Sequence, residues 1–142
     1  MARIQESLSM PFGASEMYEI VNDVKSYSEF LPWCFDSEIL YQDDSKMRAT
    51  ISIRKGGFSY SLTTSNLLMP GRSIVLDFSE GPFKYLRGEW RFIPTEGGSS
   101  VNLELDFEAE NRILDIALGA ASGRVTAKLM KSFEDRAYAL YG

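Results

Sequence analysis

Cys34 is the one thiol in this 142-residue chain, and no histidine stands anywhere in it to activate a nucleophile. Ser–His and Cys–His couples are therefore excluded, as are imidazole-based metal sites. A thiol without such a partner reads as a small buried hydrophobe, and a single cysteine forms no internal disulfide. Asp43 and Asp44 are adjacent carboxylates, but no ligands at metal-loop spacing surround them, so the pair reads as a turn. Carboxylates, tyrosines, lysines and arginines remain for acid–base work, without any of the usual catalytic constellations. The spacing does offer binding chemistry. VKSYSEFLPWCF, from Val24 to Phe35, brings Tyr27, Phe30, Leu31, Trp33 and Phe35 into a dozen residues. Such rings serve equally to roof a core or to line the mouth of an apolar cavity.

The elements around this stretch follow from pattern. Arg3 to Met10 is expected to be an opening strand with Ile4, Leu8 and Met10 on one face; Glu6 interrupts that face and reads either as a lone polar group in a pocket or, the favoured expectation, as the mark of an irregular strand. Gly13 with Glu16 three residues later starts a helix running to about Asn22. Ser26 and Glu29 have the spacing of a capping box, and Pro32 limits the helix they open to about one turn.

From Phe35 the apolar period changes to two. Phe35, Ile39 and Tyr41 begin a strand that turns at residues 42–45. Met47, Ala49, Ile51 and Ile53 alternate with a polar, basic outer row, and Gly56-Gly57 marks a hairpin. Phe58, Tyr60 and Leu62, then Ile74, Leu76 and Phe78, then Leu86, Gly88, Trp90 and Phe92 continue the inner face. Val101, Leu103, Leu105 and Phe107 complete it. From Asn111 to Tyr141 the period returns to 3.6, with Leu114, Leu118, Ala121, Val125, Leu129, Phe133, Ala137 and Leu140 on one stripe.

Hydrophobic residues make up 44% of the chain and charged ones 25%, ordinary material for one globular domain over residues 1–142. The net charge of −5 repels nucleic acid at long range, and no DNA partner is expected. MARIQESLSM has no apolar signal-peptide region, and no run is long enough to span a bilayer. A cytoplasmic protein is the expectation. One strand, short helices, about six meandering strands and a long amphipathic helix predict an α+β helix-grip architecture. In it a curved antiparallel sheet of about seven strands wraps the C-terminal helix and leaves room for a hollow.

NDVKSYSEFLPWC at 22–34, EGPFKYLRGEWRF at 80–92 and MKSFEDRAYALYG at 130–142 resemble the polyketide-cyclase/START-type family. The likeness is to its branch of coenzyme-Q-binding proteins and ribosome-association toxins, and it runs along the whole chain. The resemblance implies a START/Bet v 1-like fold and a non-enzymatic carrier of ubiquinone or another polyprenyl lipid that supports respiration. The lack of a transit peptide ahead of the domain favours a bacterial cytoplasmic member over a mitochondrial one, with peripheral contact at the inner membrane as a further expectation. Ubiquinone would be a bound ligand rather than a cofactor, and no metal is implied. The residues expected to form the cavity are Tyr27, Phe30, Leu31, Trp33, Phe58, Tyr60, Phe83, Leu86, Trp90, Phe92, Ala121, Val125 and Leu129.

The same resemblance implies an alternative, binding to the large ribosomal subunit that blocks subunit joining. Arg124, Lys128 and Lys131 lie on one helix face and would make that contact, with Arg136 near its edge and Arg87 and Arg91 in a separate patch. A third reading, by analogy with aromatase/cyclase relatives, is an enzyme using Glu6, Tyr60 or Arg87 in the pocket. Gly119 to Gly123 are five small residues in mid-helix, where glycine needs a reason: close packing, or space for a ligand.

Overall fold

The computed structural model describes residues 2–55 and 57–142, the side chains of residues 2, 55 and 119–125 excepted. Seven strands form one antiparallel sheet in the order β1-β7-β6-β5-β4-β3-β2. They are β1 (Ala2–Met10), β2 (Cys34–Gln42), β3 (Lys46–Lys55), β4 (Phe58–Met69), β5 (Ser73–Glu80), β6 (Phe83–Thr95) and β7 (Gly98–Ala109). The helices are α1 (Ala14–Asn22), α2 (Tyr27–Phe30) and α3 (Arg112–Tyr141). All successive strands from β2 to β7 are joined by tight connections, and β1 crosses to pair with β7. This is the helix-grip arrangement expected of the pattern, and the START/Bet v 1-like fold that the resemblance implies.

Local chemistry fixes the helix ends. The Gly13 amide donates to Glu16 Oε1 at 3.0 Å, which starts α1. Asn111 Oδ1 accepts from the amides of Ile113 (2.7 Å) and Leu114 (3.2 Å), which starts α3. The Ser26–Glu29 capping box does not form. Ser26 already has helical dihedrals, because a 3-10 turn at Val24–Ser26 runs straight into α2, and its side chain makes no capping bond. Leu31, ahead of Pro32, takes an extended conformation (φ −94°, ψ 111°) and ends α2 after four residues.

Three expectations are corrected, two in strands and one in α3. β1 pairs with β7 without a register shift, so it is regular, and Glu6 shares the inner face with Ile4, Leu8 and Met10. Glu6 Oε1 receives a long contact from Thr126 Oγ1 at 3.5 Å, which gives the inward carboxylate a polar neighbour on α3. In β2, irregularities between Cys34 and Asp36 and between Ile39 and Tyr41 break the simple alternation. Phe35 and Tyr41 are consequently exposed, with the Arg54 guanidinium lying 4.5 Å over the Phe35 ring. Leu140, at the end of the helix stripe, is also exposed.

The core has two parts. One joins α1, the roof and the C-terminal half of α3 around Met17, Leu31, Trp90 and Phe133. The other lies under the first turns of α3, around Leu62, Phe83, Phe107 and Leu114. On the outer sheet face the register aligns Arg3, Asp106, Arg87 and Asp77 in one row of alternating charge.

Candidate ligand-binding cavity

Between the inner sheet face and α3 lies a cavity of about 230 Å3 with almost wholly apolar walls. Each wall has a local cause. The roof is held because Leu31 N donates to Tyr27 O and Arg54 N donates to Trp33 O, each at 2.8 Å, fastening the segment after α2 to β3. Tyr27, Leu31 and Trp33 face the cavity from there. The floor comes from alternate residues of β1 and β3–β7, including Ile4, Ala49, Leu76, Trp90 and Phe107. A register shift between Phe83 and Tyr85 brings Phe83 and Leu86 to one face despite their odd spacing. Leu118, Thr126, Leu129 and Phe133 close the cavity from α3.

Eight of the expected residues are thus brought together: Tyr27, Leu31, Trp33, Tyr60, Phe83, Leu86, Trp90 and Leu129. Three are not. Phe30 packs edge-on against Phe133 at 5.4 Å, with the Arg136 guanidinium 5.1 Å above it. Phe92 turns toward α1, edge-on to Tyr18 at 5.6 Å. Phe58, half-buried at the start of β4, supports the second core cluster and stays outside the cavity. The side chains of Ala121 and Val125 lie outside the described residues.

The pattern reading missed Thr64, Asn66, Thr126 and the cavity role of Phe133. The period-two parity of Leu62 extends through residues 64 and 66, and it was the available signal. Their polar types conceal that parity, because polar side chains facing an apolar wall run against the usual cost of burying them.

Polar groups in the wall are few. The Tyr27 hydroxyl donates to Val21 O, and burial pushes its phenol far above the ordinary range. Burial also pushes the Tyr60 phenol up to about 12, so it stays neutral at physiological pH. Thr64 Oγ1 donates to Asn66 Oδ1 at 2.8 Å. Trp33 Nε1 is closed off from water and finds no acceptor among the described residues.

The three acid–base candidates do not converge. Glu6 and Tyr60 face the α3 side of the sheet, whereas Arg87 stands exposed on the opposite face, paired in register with Asp77 and Asp106. Among the described residues no group of three or more carboxylates or cysteines is placed to hold a metal. The geometry leaves a partly open apolar space with a few neutral hydrogen-bonding groups on its wall.

The basic face of α3 is less positive than its sequence. Lys131 Nζ lies 3.0 Å from Asp135 and 3.6 Å from Glu134. Arg136 lies 4.0 Å from Glu29, and Arg91 pairs with Glu89 at 3.1 Å. Lys128 is exposed, and the Arg124 side chain lies outside the described residues.

Comparison with known proteins agrees with this geometry. Residues 10–134 match the model of the family described as polyketide cyclase / dehydrase and lipid transport. The chain is 39% identical to the ribosome association toxin RatA of Vibrio cholerae, over 100% of this chain and 99% of that protein. It is 36% identical to the Escherichia coli K12 protein of the same name, over 99% and 90%. A mitochondrial coenzyme Q-binding protein, COQ10 homolog B of Xenopus laevis, is 26% identical over 96% of this chain and 58% of that protein. Among solved structures, a Streptomyces aromatase/cyclase superposes with a TM-score of 0.86 at 18% identity, covering 96% of this chain and 93% of that one. That last likeness concerns the fold alone.

Proposed function

The chain belongs to the polyketide cyclase / dehydrase and lipid transport family, and within it we propose that the protein acts at the ribosome, binding the large subunit and opposing its union with the small one. The observation that carries this reading is end-to-end similarity, 39% over the entire chain, to a protein named for ribosome association. The reading assigns the contact to the α3 face of Arg124, Lys128 and Lys131. Because the chain carries a net charge of −5, its affinity for rRNA phosphates has to come from such a local patch or from contacts with basic ribosomal proteins. The test is to mix purified small and large subunits with and without the protein and resolve them on a sucrose gradient. A dose-dependent fall in the joined particle supports the reading; an unchanged profile at saturating protein refutes it.

A second reading rests on a different observation, the apolar cavity between the sheet and α3. It holds that the protein carries ubiquinone or a related polyprenyl lipid without transforming it. A volume of about 230 Å3 lies below the roughly 300–1,000 Å3 of pockets that enclose drug-sized ligands, so the cavity suits a ring-sized head group and not a long tail. The separation of Glu6 and Tyr60 from Arg87 supports binding over catalysis. Mass spectrometry of an organic extract, from protein purified without detergent, should show a quinone above the level of a size-matched control. An extract indistinguishable from the control, with no uptake of added quinone, counts against it.

A further inference from the structure

Asn66 is out of place in the cavity wall. It lies on the inner face of β4, between Met47 on β3 and Leu76 on β5 in the register, and it is 5% exposed. Its carboxamide oxygen is occupied by the Thr64 hydroxyl at 2.8 Å. Its carboxamide nitrogen has no acceptor among the described residues, although the residue borders the cavity. A donor facing an apolar wall forgoes hydrogen bonds that it makes in water, and a hydrophobic residue of similar size would suit that wall better. Trp33 Nε1 is a second unpaired donor in the wall, and the Tyr60 hydroxyl, which can give or accept, also has no partner among the described residues. Each of these groups can give a hydrogen bond to an acceptor on a ligand.

We propose that Asn66 is the specificity-determining residue of the cavity, donating its side-chain N–H to an uncharged carbonyl oxygen on an otherwise apolar, ring-sized ligand, while Thr64 holds the carboxamide in the orientation that presents the nitrogen. The proposal rests on the ligand-carrying reading and assigns recognition of the ligand's carbonyl oxygen to one residue. Hydrocarbons of the same shape leave the donor unpaired, and amines bring a second donor to it.

The test uses two probes of nearly equal shape, 2-methyl-1,4-naphthoquinone and 2-methylnaphthalene, titrated calorimetrically into the intact protein and into Asn66→Leu. The ratio of quinone to hydrocarbon affinity should fall about tenfold in the variant, the worth of one net hydrogen bond. A ratio unchanged by the substitution overturns the proposal. In the natural protein, the Asn66 side-chain amide resonances should shift with the quinone and not with the hydrocarbon, a readout that does not depend on the variant folding. Equal shifts with both probes also overturn it. If neither probe binds the natural protein, the ligand-carrying reading itself falls, a result distinct from binding without discrimination.

Discussion

Phe133 of α3 stands edge-on to Trp90 of β6, with ring centroids 5.4 Å apart and planes at 76°. The same Phe133 ring meets Tyr27 at 5.7 Å and Phe30 at 5.4 Å, both in edge-on geometry. One side chain thereby ties the roof, the sheet and the long helix together at the cavity's edge. Such aromatic pairs add about 0.5–1.5 kcal/mol each beyond the area they bury.

Truncating that ring should be costly. Phe133 is 2% exposed, and Phe133→Ala should destabilise the protein by about 3–5 kcal/mol in urea unfolding. A loss below about 1 kcal/mol would show that the three elements are not held through this residue.

Gly88 sets the depth of the floor. A Cβ there would lie 2.8 Å from Leu105 Cδ1 and 3.2 Å from Glu104 O, so a larger residue must push the cavity-lining Leu105 inward. Gly88→Val should cost about 1–3 kcal/mol and reduce uptake of naphthoquinone per folded molecule. Unchanged stability and uptake would contradict the close approach.

Alkaline pH should weaken the fold in a defined window. Tyr60 has its phenol pushed by burial from an ordinary 10 up to about 12, and burial raises Tyr27 further in the same direction. Below pH 10 both folded and unfolded chains keep these protons, so the stabilisation is fully present. Between pH 10 and 12 only the unfolded chain loses them, and stability should fall by about 1.4 kcal/mol per pH unit for each group. Urea midpoints measured across this range should decline less steeply in Tyr60→Phe than in the natural protein. Equal slopes would place the Tyr60 phenol in water.

Surface charge on α3 yields an asymmetric prediction. Lys131 is compensated by Asp135 and Glu134, whereas Lys128 is exposed on the same face. If that face meets the ribosome, Lys128→Glu should weaken the interaction more than Lys131→Glu, with both variants folded by circular dichroism. The reverse order in a sedimentation binding curve would move the contact elsewhere.

The strand pattern was legible because most strands keep strict alternation, as Met47 to Ile53 and Val101 to Phe107 do. It failed where backbone irregularities intervene. Two interruptions in β2 turn Phe35 and Tyr41 outward, and no residue type in that strand announces them. Glu6 misled for another reason: its neighbour Thr126 is 120 residues away, so nothing local explains an inward carboxylate. The roof was readable from Pro32, and the helix from its 3.6 period. Phe30, Phe58 and Phe92 show the limit of reading a cavity from aromatics, since rings on the same elements also pack against other elements beside it.

Ribosome association is open to a direct measurement, sedimentation of the purified protein with isolated large subunits through a sucrose gradient at low salt. The protein should migrate with the large subunit in near-equimolar amount and be released as salt rises. Protein that remains at the top of the gradient at low salt and high concentration would contradict it.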